Sequence, residues 1–237
     1  MKKLLTMLCV SLSAWAAGPS GDDLVKRADE ARFPSGAVSF SVKVTDKTES
    51  SEKETLYRVD TKDGDLSLVT TQAPPRLKGR KLLMRENDLW LYLPSIERPT
   101  RVSAQQRLTG EVANGDIAHT AFARDYSAEV KGISVIDKEL CFELLLTARN
   151  KGVTYHSIRY WIQKRNNYPV KAEFYALSGK ALKTGVYSHF QPVLGRPRMT
   201  QLVITDALKP THQSILLYSD FKTESFDDRH FSKDRLG

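Results

Sequence analysis

From residue 38 the chain alternates. Val38, Phe40, Val42 and Val44 are apolar, and Ser39, Ser41, Lys43 and Thr45 between them are polar. A period of two reads as a β-strand with one face on a core and one in water. Similar segments follow at 55–61, 65–71, 80–86, 88–93, 98–103, 129–136, 138–148, 153–164, 169–176, 181–190, 198–206 and 212–222. Turn signals separate them, among them Asp63-Gly64, Asn87-Asp88, Asp137-Lys138, Asn150-Lys151-Gly152, Asn166-Asn167, Ser178-Gly179, the segment 192–197 and Lys209-Pro210. The charged stretch 46–54 reads as a turn or a solvated hairpin tip. About a dozen strands with short connections predict an antiparallel meander that closes into a barrel or half-barrel.

One helix precedes the strands. Ser20 can cap it, with Asp23 three residues on as a carboxylate variant of the capping box. Leu24, Val25, Ala28 and Ala31 make an apolar stripe at helical spacing, and Pro34 and Gly36 end it. Residues 104–121 break the strand rhythm, with Gly110, Gly115 and few large apolar side chains. They read as a long loop with a short helix near 103–109. No internal repeat or linker divides the chain, so 17–237 reads as one domain. A curved sheet with one apolar face must cover that face, and the helix and the 104–121 segment are the available covers. The periodicity fits either a cavity beneath them or a filled core.

Composition narrows the class. The chain has 237 residues, 41% of them hydrophobic, and a net charge of +8. Its mean hydropathy is −0.40, which argues against a polytopic membrane protein, while its apolar content argues against global disorder. The first residues predict export. Lys2 and Lys3 precede the apolar run 4–14, which is too short to span a bilayer, and Ala14-Trp15-Ala16 offers small residues for cleavage after Ala16. The alternative is an uncleaved anchor. Cleavage would remove Cys9, leave Cys141 alone, and lower the net charge from +8 to +6 through loss of the two lysines. This leader predicts a periplasmic protein, where nucleic acid is not an expected partner.

Catalytic signatures are sparse. His119, His156, His189, His212 and His230 are dispersed, without the pair spacing of a metal site, so no metal or other cofactor is expected. There is no nucleophile elbow and no phosphate-binding glycine loop. Cys141 sits in an alternating apolar strand, where an inert buried thiol is the default, and the adjacent Asp227 and Asp228 read as turn residues. The sequence favours a non-enzyme.

Two stretches carry a family resemblance. Asp88-Leu89-Trp90-Leu91-Tyr92-Leu93-Pro94 resembles a strand and turn of periplasmic lipoprotein carriers of the LolA type. Tyr160-Trp161-Ile162-Gln163-Lys164, Tyr168-Pro169-Val170-Lys171-Ala172-Glu173-Phe174-Tyr175 and Ser178-Gly179-Lys180-Ala181-Leu182-Lys183-Thr184 resemble the core of outer membrane lipoprotein-sorting proteins. Ala28-Asp29-Glu30-Ala31-Arg32, Phe226-Asp227-Asp228 and Phe231-Ser232 extend the resemblance over nearly the whole mature chain. One departure lies after Arg101, where Gly115-Asp116-Ile117-Ala118-His119 and Asp125-Tyr126 replace the family's glycine-rich pattern.

The resemblance implies a mainly β, LolA/LolB-like fold. It would be an incomplete antiparallel β-barrel with an N-terminal helix and a loop or helix lid over an apolar cavity. It also implies carriage of a lipid or an acylated protein between the inner and outer membranes. The partners would be an inner-membrane transporter and an outer-membrane acceptor. The alternative is an accessory of a resistance-nodulation-division type transporter that carries nothing. The expected cavity wall is Val38, Phe40, Val42, Val44, Leu89, Leu91 and Leu93, joined by Trp161 or its neighbour Tyr160. Trp90 and Tyr92, of opposite parity, are expected on the outer face or at a rim. Arg76, Lys78, Arg80 and Lys81 form a basic cluster suited to a membrane surface or partner, or to a solvated strand edge.

Overall fold

The structure, a computed structural model, describes residues 18–118 and 121–237. The expected leader at 1–16 and His119 lie outside the described residues. Helix α1 (Gly21–Arg32) forms where the apolar stripe runs, with Leu24, Val25, Ala28 and Ala31 buried. Ser20 caps it by accepting from the Asp23 amide at 3.1 Å. Phe33 leaves helical geometry and ends it.

The chain then makes six strands outward from the middle of one sheet. These are β1 (Ala37–Lys47), β2 (Glu52–Lys62), β3 (Leu66–Ala73), β4 (Lys81–Arg85), β5 (Asp88–Tyr92) and β6 (Thr100–Val102). A crossover follows, holding the small hairpin β7 (Arg107–Thr109) and β8 (Val112–Ala113) with helices α2 (Asn114–Ala118) and α3 (Phe122–Asp125). At the far edge the meander resumes with β9 (Tyr126–Ile136), β10 (Glu139–Ala148), β11 (Ser157–Gln163) and β12 (Pro169–Tyr175). It ends with β13 (Ala181–Val193), β14 (Arg196–Asp206) and β15 (Gln213–Thr223), which pairs antiparallel with β1.

Among the described residues, thirteen strands form one antiparallel sheet, with β6 and β9 at its two edges. The edges do not pair, so the barrel stays open. One core cluster takes Val69 and Leu82 from one wing together with Ile158 and Tyr160 from the other, so the sheet wraps around a single interior. Helix α1 packs inside it against β9, β12 and β14. No described helix is long and apolar enough to cross a membrane.

The stretch 46–54 is a hairpin tip, with Lys43–Glu54 at 3.1 Å and Lys47–Glu52 at 3.1 Å pairing across β1 and β2. Its turn is only 48–51, closed by the Thr48 amide donating to Ser51 O at 2.9 Å. Other local expectations are corrected or sharpened. The segment 192–197 is ladder, since Pro192 and Pro197 face each other and Leu194-Gly195 makes the turn at φ 45° and 79°. No helix forms near 103–109; β7 lies there, and the helices come later in the crossover. Residues 153–156 stand outside strand β11. The Tyr126 hydroxyl brackets Tyr155, donating to its carbonyl at 3.2 Å and accepting from its amide at 3.3 Å, so Tyr155 needs no ladder partner.

A second, smaller cluster lies on the opposite face. Leu68, Leu83 and Tyr92 pack there under Phe231 and Leu236 of the C-terminal segment, with Trp90 and Phe226 at its edge. Polar clasps hold that segment: Lys62 donates to Asp228 at 2.6 Å, His230 meets Asp60 at 2.8 Å, and Lys81 donates to Leu236 O at 2.8 Å. Trp90 and Tyr92 therefore sit on the outer face, as their parity requires.

Candidate functional site

The crossover decides where the interior is open. It is anchored on the sheet by Asp46, which accepts from Thr109 Oγ1 at 2.5 Å and Ser214 Oγ at 2.6 Å. Ser214 Oγ in turn accepts from the Glu111 amide at 2.8 Å. Gly110, at φ 44°, lies so close to Asp46 that a Cβ would stand 1.8 Å from its Oδ1. Beyond this anchor a cleft of about 1260 Å³ opens between the crossover and the ends of β10 to β14. Val112, Ala113, Val153, Tyr155, Leu177 and Leu182 supply its apolar wall. Arg107, Arg149 and Lys151 bring positive charge to its lining.

A buried ionic lock stands at the inner end. Lys183 Nζ donates to Asp116 Oδ2 at 2.6 Å and to Glu111 O at 2.7 Å. Asp116 Oδ2 also accepts from the Ala113 amide at 2.8 Å, and Asp116 Oδ1 accepts from the Tyr155 hydroxyl. Burial, then the neighbouring carboxylate, pushes the Tyr155 hydroxyl well above its ordinary pKa, so it remains a donor. The lock ties α2 to β13 and to the 149–156 loop. Behind it lies a chamber of about 20 Å³, lined in part by Arg32, Phe122, Tyr126 and Tyr187. It shares Thr154 and Tyr155 with the cleft.

The expected site residues fall in different places. Val38, Phe40, Val42, Val44 and Leu89 face the interior and are buried in the main core. None of them lines the cleft or the chamber. Leu91 is half-buried in β5, and Leu93 lies past its end, where its carbonyl accepts from the Ile96 and Glu97 amides. Trp161 is buried but faces outward, between the Arg159 guanidinium at 5.0 Å and the Lys171 ammonium at 5.1 Å from its ring. A ladder of Arg159, Lys171, Glu143 and Glu173 covers it, so Tyr160 is the inward-facing member of that pair. Arg76, Lys78 and Arg80 stand exposed around the turn Pro75–Leu77, whereas Lys81 is spent on the C-terminal segment.

Sequence reasoning missed Lys183, Asp116 and Arg32. Lys183 shares its strand parity with Tyr187 and so points inward. Asp29 and Arg32 sit three residues apart on the buried side of α1 and pair at 3.0 Å. Lys183 and Arg32 were readable as charges on an apolar face; Asp116, in the crossover, was not. Cys141 is buried, and burial pushes its thiol up. Among the described residues, no group of three or more His, Cys, Asp or Glu side chains is placed to hold a metal ion.

Comparison with known proteins fits this geometry. A family model described as "Uncharacterized protein" matches residues 63–237. Among curated proteins none matches. A LolA superfamily protein from Nitrosomonas europaea is 38% identical, with a TM-score of 0.87, over 91% of this chain and 99% of its own. An outer membrane lipoprotein-sorting protein domain from Vibrio parahaemolyticus is 21% identical, with a TM-score of 0.78, over 91% of this chain and 97% of its own. A DUF1329 family protein from Desulfovibrio piger is 19% identical, with a TM-score of 0.80, over 92% of this chain and 98% of its own. The last two show the fold alone. An identity of 38% along nearly the whole of both chains, on the same open barrel, shows more: the chain belongs to the LolA superfamily.

Proposed function

We propose that this protein is a periplasmic carrier of a lipid or an acylated protein. It would receive its cargo from an inner-membrane transporter and pass it toward an outer-membrane acceptor. The observation that carries this reading is the apolar-walled cleft of about 1260 Å³ between sheet and crossover. Carriage needs no catalytic group. It needs a wall that removes acyl chain from water, worth about 0.8 kcal/mol per methylene. Release then follows a change in cavity shape or a tighter acceptor. In this reading the crossover is the lid. When it lifts, the interior face of Val38, Phe40, Val42, Val44, Leu89 and Leu91 becomes the deeper wall. Membership of the LolA superfamily supports the same reading.

The test is mass spectrometry of whatever co-purifies from a native periplasm, with an unrelated periplasmic protein as control. A stoichiometric lipid or acylated peptide is the expected result. An empty protein that also refuses fluorescent fatty acids would sink the proposal and favour a transporter accessory that carries nothing. The exposed Arg76, Lys78 and Arg80 are proposed to meet anionic headgroups. Neutralising all three should weaken binding to anionic vesicles at low salt. Unchanged binding would reduce them to a solvated edge.

A further inference from the structure

A guanidinium carries five N–H donors. Among the described residues, the Arg32 side chain hydrogen-bonds only to Asp29, Nη1 to Oδ1 at 3.0 Å. Arg32 is only 3% exposed, and its buried Nε has no partner. The second Asp29 oxygen is already taken, accepting from the Ala123 amide at 2.8 Å. Aromatic rings surround the guanidinium. Phe122 lies 3.8 Å from it, centroid to Cζ, Phe33 at 5.5 Å and Tyr187 at 5.7 Å.

Two more unpartnered groups lie in the same place. Among the described residues, the hydroxyls of Tyr160 and Tyr218 are buried without a hydrogen-bond partner. Their rings belong to the same aromatic surround: Tyr160 lies 5.7 Å from Phe122 and 5.9 Å from Tyr187, and Tyr218 lies 5.4 Å from Phe33, centroid to centroid. Burial keeps all three phenols neutral: Tyr187 is pushed up to about 12, and Tyr160 and Tyr218 are raised as well. They are therefore O–H donors. Interiors pair their polar groups, and each exception calls for an explanation. Here each unpaired group carries an N–H or O–H, and all belong to side chains of one aromatic surround, so an incoming acceptor would pair with them. Asp29 balances the charge of Arg32 but does not fill its remaining donor positions.

The surroundings say what kind of acceptor fits. The chamber beside Arg32 holds about 20 Å³, room for one water. Its other walls include Phe174, Leu202 and Ile204, so a polar head that enters brings an apolar tail along them. Phe122, which blocks the guanidinium, belongs to α3 and hence to the same crossover that covers the cleft. Asp116 of the lock belongs to that crossover as well, so its movement as a whole would join chamber to cleft and uncover the donors.

We propose that Arg32, Tyr160, Tyr187 and Tyr218 form a receptor for the acidic head of the cargo, a carboxylate or phosphate oxygen, uncovered when Phe122 withdraws. This rests on the carrier reading and narrows it: the cargo is an anionic amphiphile held head-inward. A neutral hydroxyl also accepts from Arg32, but more weakly than an anionic oxygen does. Charge-assisted hydrogen bonds are the strong ones, so the head contributes to selection as well as the tail.

The test compares palmitic acid, hexadecyl phosphate and 1-hexadecanol as competitors of one fluorescent acyl probe. Palmitic acid or hexadecyl phosphate should bind the intact protein at least about tenfold more tightly than the alcohol. The tighter of the two names the head. In the double variant Asp29→Asn/Arg32→Met that preference should collapse to near unity while alcohol binding persists. Removing both charges strands neither. Tyr218→Phe should weaken acid binding severalfold, leave alcohol binding unchanged, and leave the empty protein at least as stable, because an unpaired hydroxyl is gone. Equal affinity for acid and alcohol, or a preference that survives in the double variant, would overturn the proposal and leave the carrier reading standing. Binding of none of the three would remove both. Inorganic phosphate that displaces palmitic acid as well as hexadecyl phosphate does would make this a site for a free anion and overturn its assignment to a cargo head.

Discussion

Gly21 sets how closely α1 can lie on the sheet edge. A Cβ there would stand 2.2 Å from the carbonyl oxygen of Ala128, a backbone atom that cannot rotate away. Gly21→Ala should lift the first turn and cost about 1–3 kcal/mol. Urea denaturation would show this as a lower midpoint at unchanged slope. A midpoint equal to that of the parent would mean that α1 does not sit against β9. Leu182 poses the complementary question. It lines the cleft and is 38% exposed, so Leu182→Glu should change stability by no more than about 0.5 kcal/mol. It places a charge where acyl chain is proposed to lie, so it should lower palmitic acid affinity by roughly tenfold or more. Unchanged affinity in the folded variant would move the chain elsewhere. Neither residue stands out in the sequence. Gly21 matters through a strand far along the chain, and Leu182 is one of many leucines in alternating strands. Such contacts are set by how the sheet coils, which periodicity does not encode.

At the scale of elements, alternation carries most of the information, because a one-residue slip would turn a strand's apolar set toward water. Val38, Phe40, Val42 and Val44 point inward as their spacing requires, and the opposite parity puts Trp90 and Tyr92 outside. Trp161 shows the limit of residue size as a guide. A large aromatic suggests the interior, but cations on the adjoining strand positions cover it from outside. The charged hairpin at 46–54 was legible as polar but not as paired, since its acids and bases meet only once the strands are in register. The C-terminal segment can be tested as an element. Phe231 is fully buried against β3 to β5 on the outer face. Phe231→Ala should cost about 3–5 kcal/mol of stability by chemical denaturation. Palmitic acid binding should be unaffected wherever the variant remains folded, because the cleft is on the other side. A selective loss of binding at intact stability would connect the two faces.

At the scale of the whole molecule, one open sheet surrounds an interior that contains many tyrosines. Burial raises Tyr57, Tyr126, Tyr155, Tyr160, Tyr187 and Tyr218, with Tyr57 and Tyr187 at about 12. An unfolded tyrosine loses its proton near pH ~10. A phenol whose folded pKa is higher contributes stability that is fully present below the unfolded value and is lost as pH rises toward the folded one. Above about pH 10 the unfolded chain therefore binds fewer protons than the folded chain, and stability falls with pH. Thermal midpoints should decline from that point, and tyrosinate absorbance from these six should appear together with loss of near-ultraviolet dichroism. That coupling also reports on the lid. Tyr126, Tyr155 and Tyr187 line the chamber behind the crossover. If the crossover opened readily without cargo, water would reach them and they would ionise gradually in a folded protein. Cooperative ionisation means an interior that stays closed in the empty protein, which the proposed carrier role requires to keep its apolar wall out of water between transfers.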